Sequence, residues 1–347
     1  MAATGEYVIA SGRELGDTHD VFRCLRADTG AAVWTLRYSA PGGLDYGNSP
    51  RATPLVHDGM AVLFGAFGHL HAVKLATGDV VWKKNLREEF HSAGRMSWGL
   101  CSSPLIAAGK LIVNPGGPDA SLVALDPRTG AVIWKTPGEP AGYGSLIVAT
   151  LGGVEQIVGH DETTLGGWDA ATGKRLWTVT PPRPNDYNVP TPIVHRGDLI
   201  VVTENNGARR YRFRAGGQID PEPVAQFAGL NSDTITPVVV GDRLFGVAAG
   251  RLFCLDLTAG LNPLWDHADG AFDDHVSLIA SDDRVLIVDL SGEAILLDAK
   301  ADRFVPVSRV KMFEDETGMY PHPAVANRRL YVRGSDAVYA IALEPPK

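Results

Sequence analysis

His91, His275 and His322 could each exchange a proton near neutral pH, and two carboxylates stand where they could tune such a base. Asp274 directly precedes His275, and Asp186 could do so in company with Arg51. Neighbouring residues on a strand point to opposite faces, so Asp274 and His275 need not meet. His275, His322 and Asp274 are therefore the candidates for acid–base catalysis. The chain holds no Gly-x-Ser-x-Gly, His-Glu-x-x-His or phosphate-cradling glycine loop. Its three cysteines, Cys24, Cys101 and Cys254, lie far apart and make no metal-ligand spacing, so no metal is expected.

These groups belong to a longer series that returns along the chain, always just before a short apolar run. It comprises Asp45, Tyr46, Asn48 and Arg51; His91, Arg95, Trp98 and Ser102; Tyr143; Asp186, Tyr187 and Asn188; Asn231 and Asp233; Asp273, Asp274 and His275; and Tyr320 and His322. Cations, carboxylates, imidazoles and stacking rings in one place would suit a polar small molecule of carbohydrate-like or peptide-like character, or a protein partner. The expected binding residues are Arg51, Asn48, Arg95, Trp98, Tyr143, Asn188, His275, Tyr320 and His322. The competing explanation is local, because Asp and Asn in such loops often only cap a turn.

What would bring them together is a repeat. Leu125-Asp126-Pro127-Arg128-Thr129-Gly130 leads to Trp134, and related copies lead to Trp34, Trp82, Trp177 and Trp265. Each reads as a strand, a turn whose Asp or Thr bonds its own backbone and whose Gly accepts positive φ, and a second strand carrying Trp. Gly30, Gly78, Gly130 and Gly173 stand about 43 to 52 residues apart, the spacing of four-stranded propeller blades. A Trp on each outer strand would pack across the seam to the next blade, with its N–H on a neighbouring carbonyl.

Eight units follow, at about residues 6–38, 51–86, 103–136, 145–180, 190–228, 235–267, 276–310 and 323–343. The fold expected is all-β, one eight-bladed propeller domain of four-stranded antiparallel sheets, with the first unit lacking strand A and the last lacking strand D. Strand A would line the central channel, so the polar series would converge on one channel mouth. Within the degraded fifth unit, Arg210, Arg212 and Arg214 share a strand face, expected to pair with carboxylates of a neighbouring blade or to lie exposed.

Composition sets the outer limits. A formal net charge of −8 opposes general nucleic-acid binding, which needs a basic field. No apolar run approaches the ~20 residues of a membrane-spanning helix, and residues 1–5 carry no signal-peptide pattern. A soluble bacterial protein is expected, periplasmic or extracytoplasmic if a signal has been removed and cytoplasmic otherwise. Oligomeric state stays open.

The Ala-x-Asp-x-x-Thr-Gly-x-x-x-Trp unit resembles the repeat of the pyrroloquinoline-quinone-like β-propellers. That family includes quinoprotein alcohol and glucose dehydrogenases and the lipoprotein scaffold of the outer-membrane β-barrel assembly machinery. Arg51-Ala52-Thr53-Pro54, Trp98-Gly99-Leu100-Cys101-Ser102-Ser103-Pro104 and Tyr320-Pro321-His322-Pro323 look most like its single-domain bacterial members. In the quinoprotein branch the resemblance would imply the quinone, calcium, an Asp base and an adjacent cysteine pair. The chain has no such pair and is much shorter than the dehydrogenases, so no cofactor is expected. Two readings remain: a non-catalytic binding or scaffold propeller using the channel mouth, or a cofactor-independent hydrolase, lyase or isomerase with its site there.

Overall fold

The structure is a computed structural model that describes residues 1–92, 97–186, 188–314, 318 and 320–343. Its second blade shows how the repeat becomes a sheet. Strand A is Leu55–His57, strand B Met60–Phe64, strand C His69–Lys74 and strand D Val80–Asn85, each antiparallel to the next. Strands B and C are almost wholly buried and strand D is largely exposed. Strand B therefore reads as an unbroken apolar run, while strand C buries His71 among its apolar residues.

Eight such sheets form the ring. Their strands A are Ala2–Ala3, Leu55–His57, Leu105–Ala107, Ile147–Leu151, Ile193–His195, Val238–Val240, Val276–Ala280 and Ala324–Ala326. Strands A of blades 3 and 4, 6 and 7, and 8 and 1 touch one another, which puts them at the channel. Among the described residues helix is limited to Leu86–Phe90 and the turn Gly270–Phe272. No helix among the described residues is long and apolar enough to cross a membrane.

The first blade corrects one expectation. Ala2 and Ala3 pair with Ile9 and Val8, so this sheet has its strand A and four strands in all. Two alanines carry no alternation, which is why the pattern did not reveal them. The eighth blade shows three strands among the described residues. It meets the first through side chains: the Tyr331 hydroxyl donates to Ala27 O at 2.9 Å, Arg329 Nη1 to the same carbonyl at 3.0 Å, and Asn327 Nδ2 to Gly5 O at 2.7 Å. Met1, Val8, Ala10, Ala27 and Tyr331 form the apolar part of this seam.

Each residue of the repeat has a physical task. Asp126 Oδ1 accepts from the amides of Arg128 and Thr129 at 2.8 and 2.9 Å, which closes the turn and holds the carboxyl below its usual pKa. A β-bulge follows at Ala124/Leu125 and recurs at the same place in blades 1, 2, 4, 6 and 7. Beyond it the Trp crosses the seam. Trp34, Trp82 and Trp265 donate to Leu75 O, Pro127 O and Ala301 O of the following blade at 2.7, 2.9 and 3.2 Å. Their rings explain the glycine: a Cβ on Gly130 would lie 2.8 Å from Trp82, and one on Gly173 2.4 Å from Trp134.

Two tryptophans depart from this bonding scheme. Trp134 Nε1 has no partner among the described residues, while Trp177 Nε1 donates to Gln156 Oε1 of its own blade at 2.6 Å. Gln156 in turn donates to Gly217 O at 2.9 Å, across the seam. Blade 5 replaces the tight turn with a small hairpin, Phe213–Arg214 against Gln218–Ile219, which folds back over blade 4. Arg210 and Arg212 pair with Asp198 of their own blade at 3.1 and 3.8 Å, and Arg214 with Asp220; the carboxylates are thus in the same blade.

Candidate functional site

Strands A all start from one face of the ring, and the loops before them meet there. That face holds a cavity of about 570 Å³, walled by Asp45 and Tyr46, Ser97 and Trp98, Ala141 to Tyr143, Glu162 and Thr163, and Thr180, Pro181, Arg183 to Asp186 and Asn188. These loops enter blades 2, 3, 4 and 5, with Glu162 and Thr163 lying between strands B and C of blade 4.

Arg51 builds the wall. Its Nε donates to Trp98 O at 2.8 Å, and its Nη2 to Asp45 O and Gly47 O at 2.7 and 2.8 Å. The guanidinium ties the loop that carries Tyr46 to the loop that carries Trp98, and the amide of Asp45 adds a bond to Ser97 O at 2.8 Å. Tyr46 sits at φ 60, a left-handed conformation uncommon for a bulky residue and held here by the clamp on either side. Its ring, 83% exposed, stands edge-on to Trp98 at 6.0 Å, and Trp98 leans on Tyr143 at 4.6 Å. Beneath them the Cys101 thiol donates to Trp98 O, and burial pushes its pKa up to about 12.

The opposite wall is polar. Buried Asn188 donates to Asp161 O and Glu162 O at 3.1 and 3.2 Å, fixing the Glu162 loop. Asp161, almost fully buried, anchors that loop by accepting from Thr164 N at 2.7 Å and from Arg175 Nη1 at 3.0 Å. Asp186 accepts from Asn205 N at 2.6 Å and from the Asn206 amide group. Nearby Glu204 has its pKa raised, by burial first and then by the charges of Asp233 and Asp186.

The remaining described candidates lie outside this cavity. His275 and Tyr320 approach at 6.1 Å. Asp274 accepts from the backbone amide of His275 at 2.7 Å, so its carboxylate caps the chain there. Burial lowers the pKa of His275; loss of solvation, with His275 close by, takes His322 down to about 4 although its ring keeps solvent contact. Asn48 is occupied locally, accepting from Leu44 N at 2.8 Å and donating to Asp17. His91 is the left-handed cap of the short helix. Arg95 and Tyr187 lie outside the described residues.

Sequence reasoning missed Glu162, Thr163 and residues 180–185, which come from a B–C loop and a proline-rich insertion. The run Pro181-Pro182-Arg183-Pro184 was the available signal. It also missed a hydroxyl belt at the strand A entrances, where Thr53 N donates to Ser103 Oγ, Ser103 N to Ser145 Oγ and Thr191 N to Thr236 Oγ1, at 3.0, 3.1 and 3.0 Å.

Eight blades, four of them with a Thr-Gly turn between strands C and D and five with a seam tryptophan, define a propeller of the pyrroloquinoline-quinone-like repeat class. Within that class the chain belongs to the family described as outer membrane protein assembly factor BamB, whose family model it matches over residues 18–262 and 121–308. It is 23% identical over 348 aligned residues to the assembly factor BamB of Shewanella oneidensis, covering 85% of each chain. It is 29% identical over 223 residues to the quinohemoprotein alcohol dehydrogenase ADH-IIG of Pseudomonas putida, which covers 58% of this chain and 29% of the dehydrogenase. The solved BamB of Moraxella catarrhalis shares the fold at a TM-score of 0.68 and 18% identity, over 98% of this chain and 92% of that one.

The residues present do not fit the dehydrogenase's kind of cofactor site. Cys24 and Cys254 are buried in separate blade cores and Cys101 under Trp98, so none can close a disulfide ring with another. Among the described residues no group of three or more His, Cys, Asp or Glu could hold a metal ion.

Proposed function

We propose that the protein is a non-catalytic, protein-binding scaffold acting in outer-membrane protein assembly, and that its partner docks on the loop face around Tyr46, Trp98 and Tyr143. The observation that carries the reading is the match to an assembly factor over 85% of both chains. The geometry supports the choice of face: an exposed Tyr46 ring beside half-buried Trp98 and Tyr143, with the Tyr46 and Trp98 loops tied together by Arg51, offers aromatic anchors of the kind that dominate protein interfaces. The test is deletion of the gene in its host, with the folded outer-membrane β-barrel proteins counted by heat-modifiable gel mobility. Their depletion, with co-purification of the tagged protein and the assembly machinery, is the expected result. Normal barrel levels and no co-purification would refute the scaffold role, and loss of a small-molecule substrate over purified protein would favour the cofactor-independent enzyme.

A further inference from the structure

The loop-face cavity pairs an aromatic wall with an acidic one. Tyr46, Trp98 and Tyr143 form consecutive contacts along one side, at ring separations of 6.0 and 4.6 Å. Asp45, Glu162 and Asp186 also line it, against one described cation, Arg183. Asp45 and Glu162 are exposed and make no ion pair among the described residues, while the bonds to Asp186 come from neutral amides. The negative field reaches further along this wall, to Glu204 and Asp233. Electron-rich ring faces attract cations, carboxylates attract them from the other side, and a neutral apolar group would leave the acidic wall unmatched. At about 570 Å³ the cavity is larger than one side chain and is in the range that holds a short peptide segment.

We infer that this cavity binds a basic side chain, arginine or lysine, presented on an extended segment of the protein partner. The inference rests on the proposed docking face, and it adds the chemistry that the face selects. The cation lies against Trp98 between Tyr46 and Tyr143, with its donors toward Glu162 and Asp186. Arg51 and Asn188 act as positioning residues, because their donors are already committed to backbone carbonyls.

The experiment uses the full chain and three capped tripeptides, Gly-Arg-Gly, Gly-norleucine-Gly and Gly-Glu-Gly, with maltotriose as a neutral sugar. Binding is read from the Trp98 indole N–H signal by NMR, assigned with W98F, and from calorimetry. The arginine peptide is expected to shift that signal saturably and to bind about tenfold or more tighter than the norleucine peptide. Tyr46→Ala and Glu162→Gln should each weaken it about threefold to tenfold at an unchanged melting temperature, and added salt should weaken it further. Norleucine peptide or maltotriose moving Trp98 as strongly as the arginine peptide would overturn the inference, and so would no shift by the arginine peptide at tens of millimolar. Should the peptides fail while the tagged protein still co-purifies with the assembly machinery, the cation pocket falls and the scaffold reading stands.

Discussion

Arg51 could be read from the sequence as a ligand-binding cation, yet its donors bond the carbonyls of Asp45, Gly47 and Trp98. Its variant Arg51→Met keeps the aliphatic stem and removes all three bonds. It should lower stability by about 2 kcal/mol in urea titration and weaken partner binding, since the carbonyls lose partners and Tyr46 loses its brace. Buried histidines set the pH limits of the fold. His71 and His160 are 5% and 1% exposed, and burial lowers their pKa to about 4 and about 3. The unfolded chain takes up protons at these groups below about pH 6.5 and the folded chain does not, so stability is full above that pH and falls toward pH 4. Each should contribute about 2 kcal/mol of loss between pH 6.5 and 5. Denaturant midpoints measured across that range should show His160→Asn losing about 2 kcal/mol less than the parent chain.

The turn glycines differ by what lies above them. Gly130 and Gly260 both have positive φ, 71 and 80, but Gly130 lies under the Trp82 ring and a Cβ on Gly260 would meet nothing within 4 Å. The reason is the neighbour: blade 5, which precedes Gly260, ends in the strand Ala225–Phe227 with no Trp to offer. Gly260→Ala should cost about 1 kcal/mol for the backbone alone, and Gly130→Ala about 2 kcal/mol more for the displaced ring, both read from thermal unfolding. In the hydroxyl belt, Ser103→Ala removes the acceptor of Thr53 N and should cost about 1 kcal/mol. The blades were legible because Asp, Thr, Gly and Trp each perform a task fixed by a few neighbouring residues. The lining of the candidate cavity was legible only where loops precede a strand A: that rule named Asp45, Tyr46, Trp98, Tyr143, Asp186 and Asn188 and passed over Glu162, which enters from a B–C loop. No local pattern could show that Arg51 faces three carbonyls, because those bonds depend on how two loops from different blades meet.

For the whole molecule the decisive feature is how the ring closes. The blades are built from consecutive strands, and blades 8 and 1 share no β-ladder among the described residues. The seam depends on Tyr331, Arg329 and Asn327 reaching carbonyls of the first blade, and on the small apolar cluster around Met1 and Val8. In a repeat array each blade is held by its neighbours, so a weak seam lets the end blades open before the rest. Amides of Leu330, Val332 and Val8 should therefore exchange faster than those of Ile157 and Val158 in blade 4, where Gln156 bridges Trp177 and Gly217 across a buried seam. Tyr331→Ala removes both the hydroxyl bond and the ring from the closing cluster. Hydrogen-exchange mass spectrometry on this variant should show blades 8 and 1 exchanging about 10- to 100-fold faster, with blade 4 unchanged, because about 1.4 to 2.7 kcal/mol of local stability separates those rates. Equal acceleration in every blade would instead mean that the ring unfolds as one unit and that its closure is no weaker than its other seams.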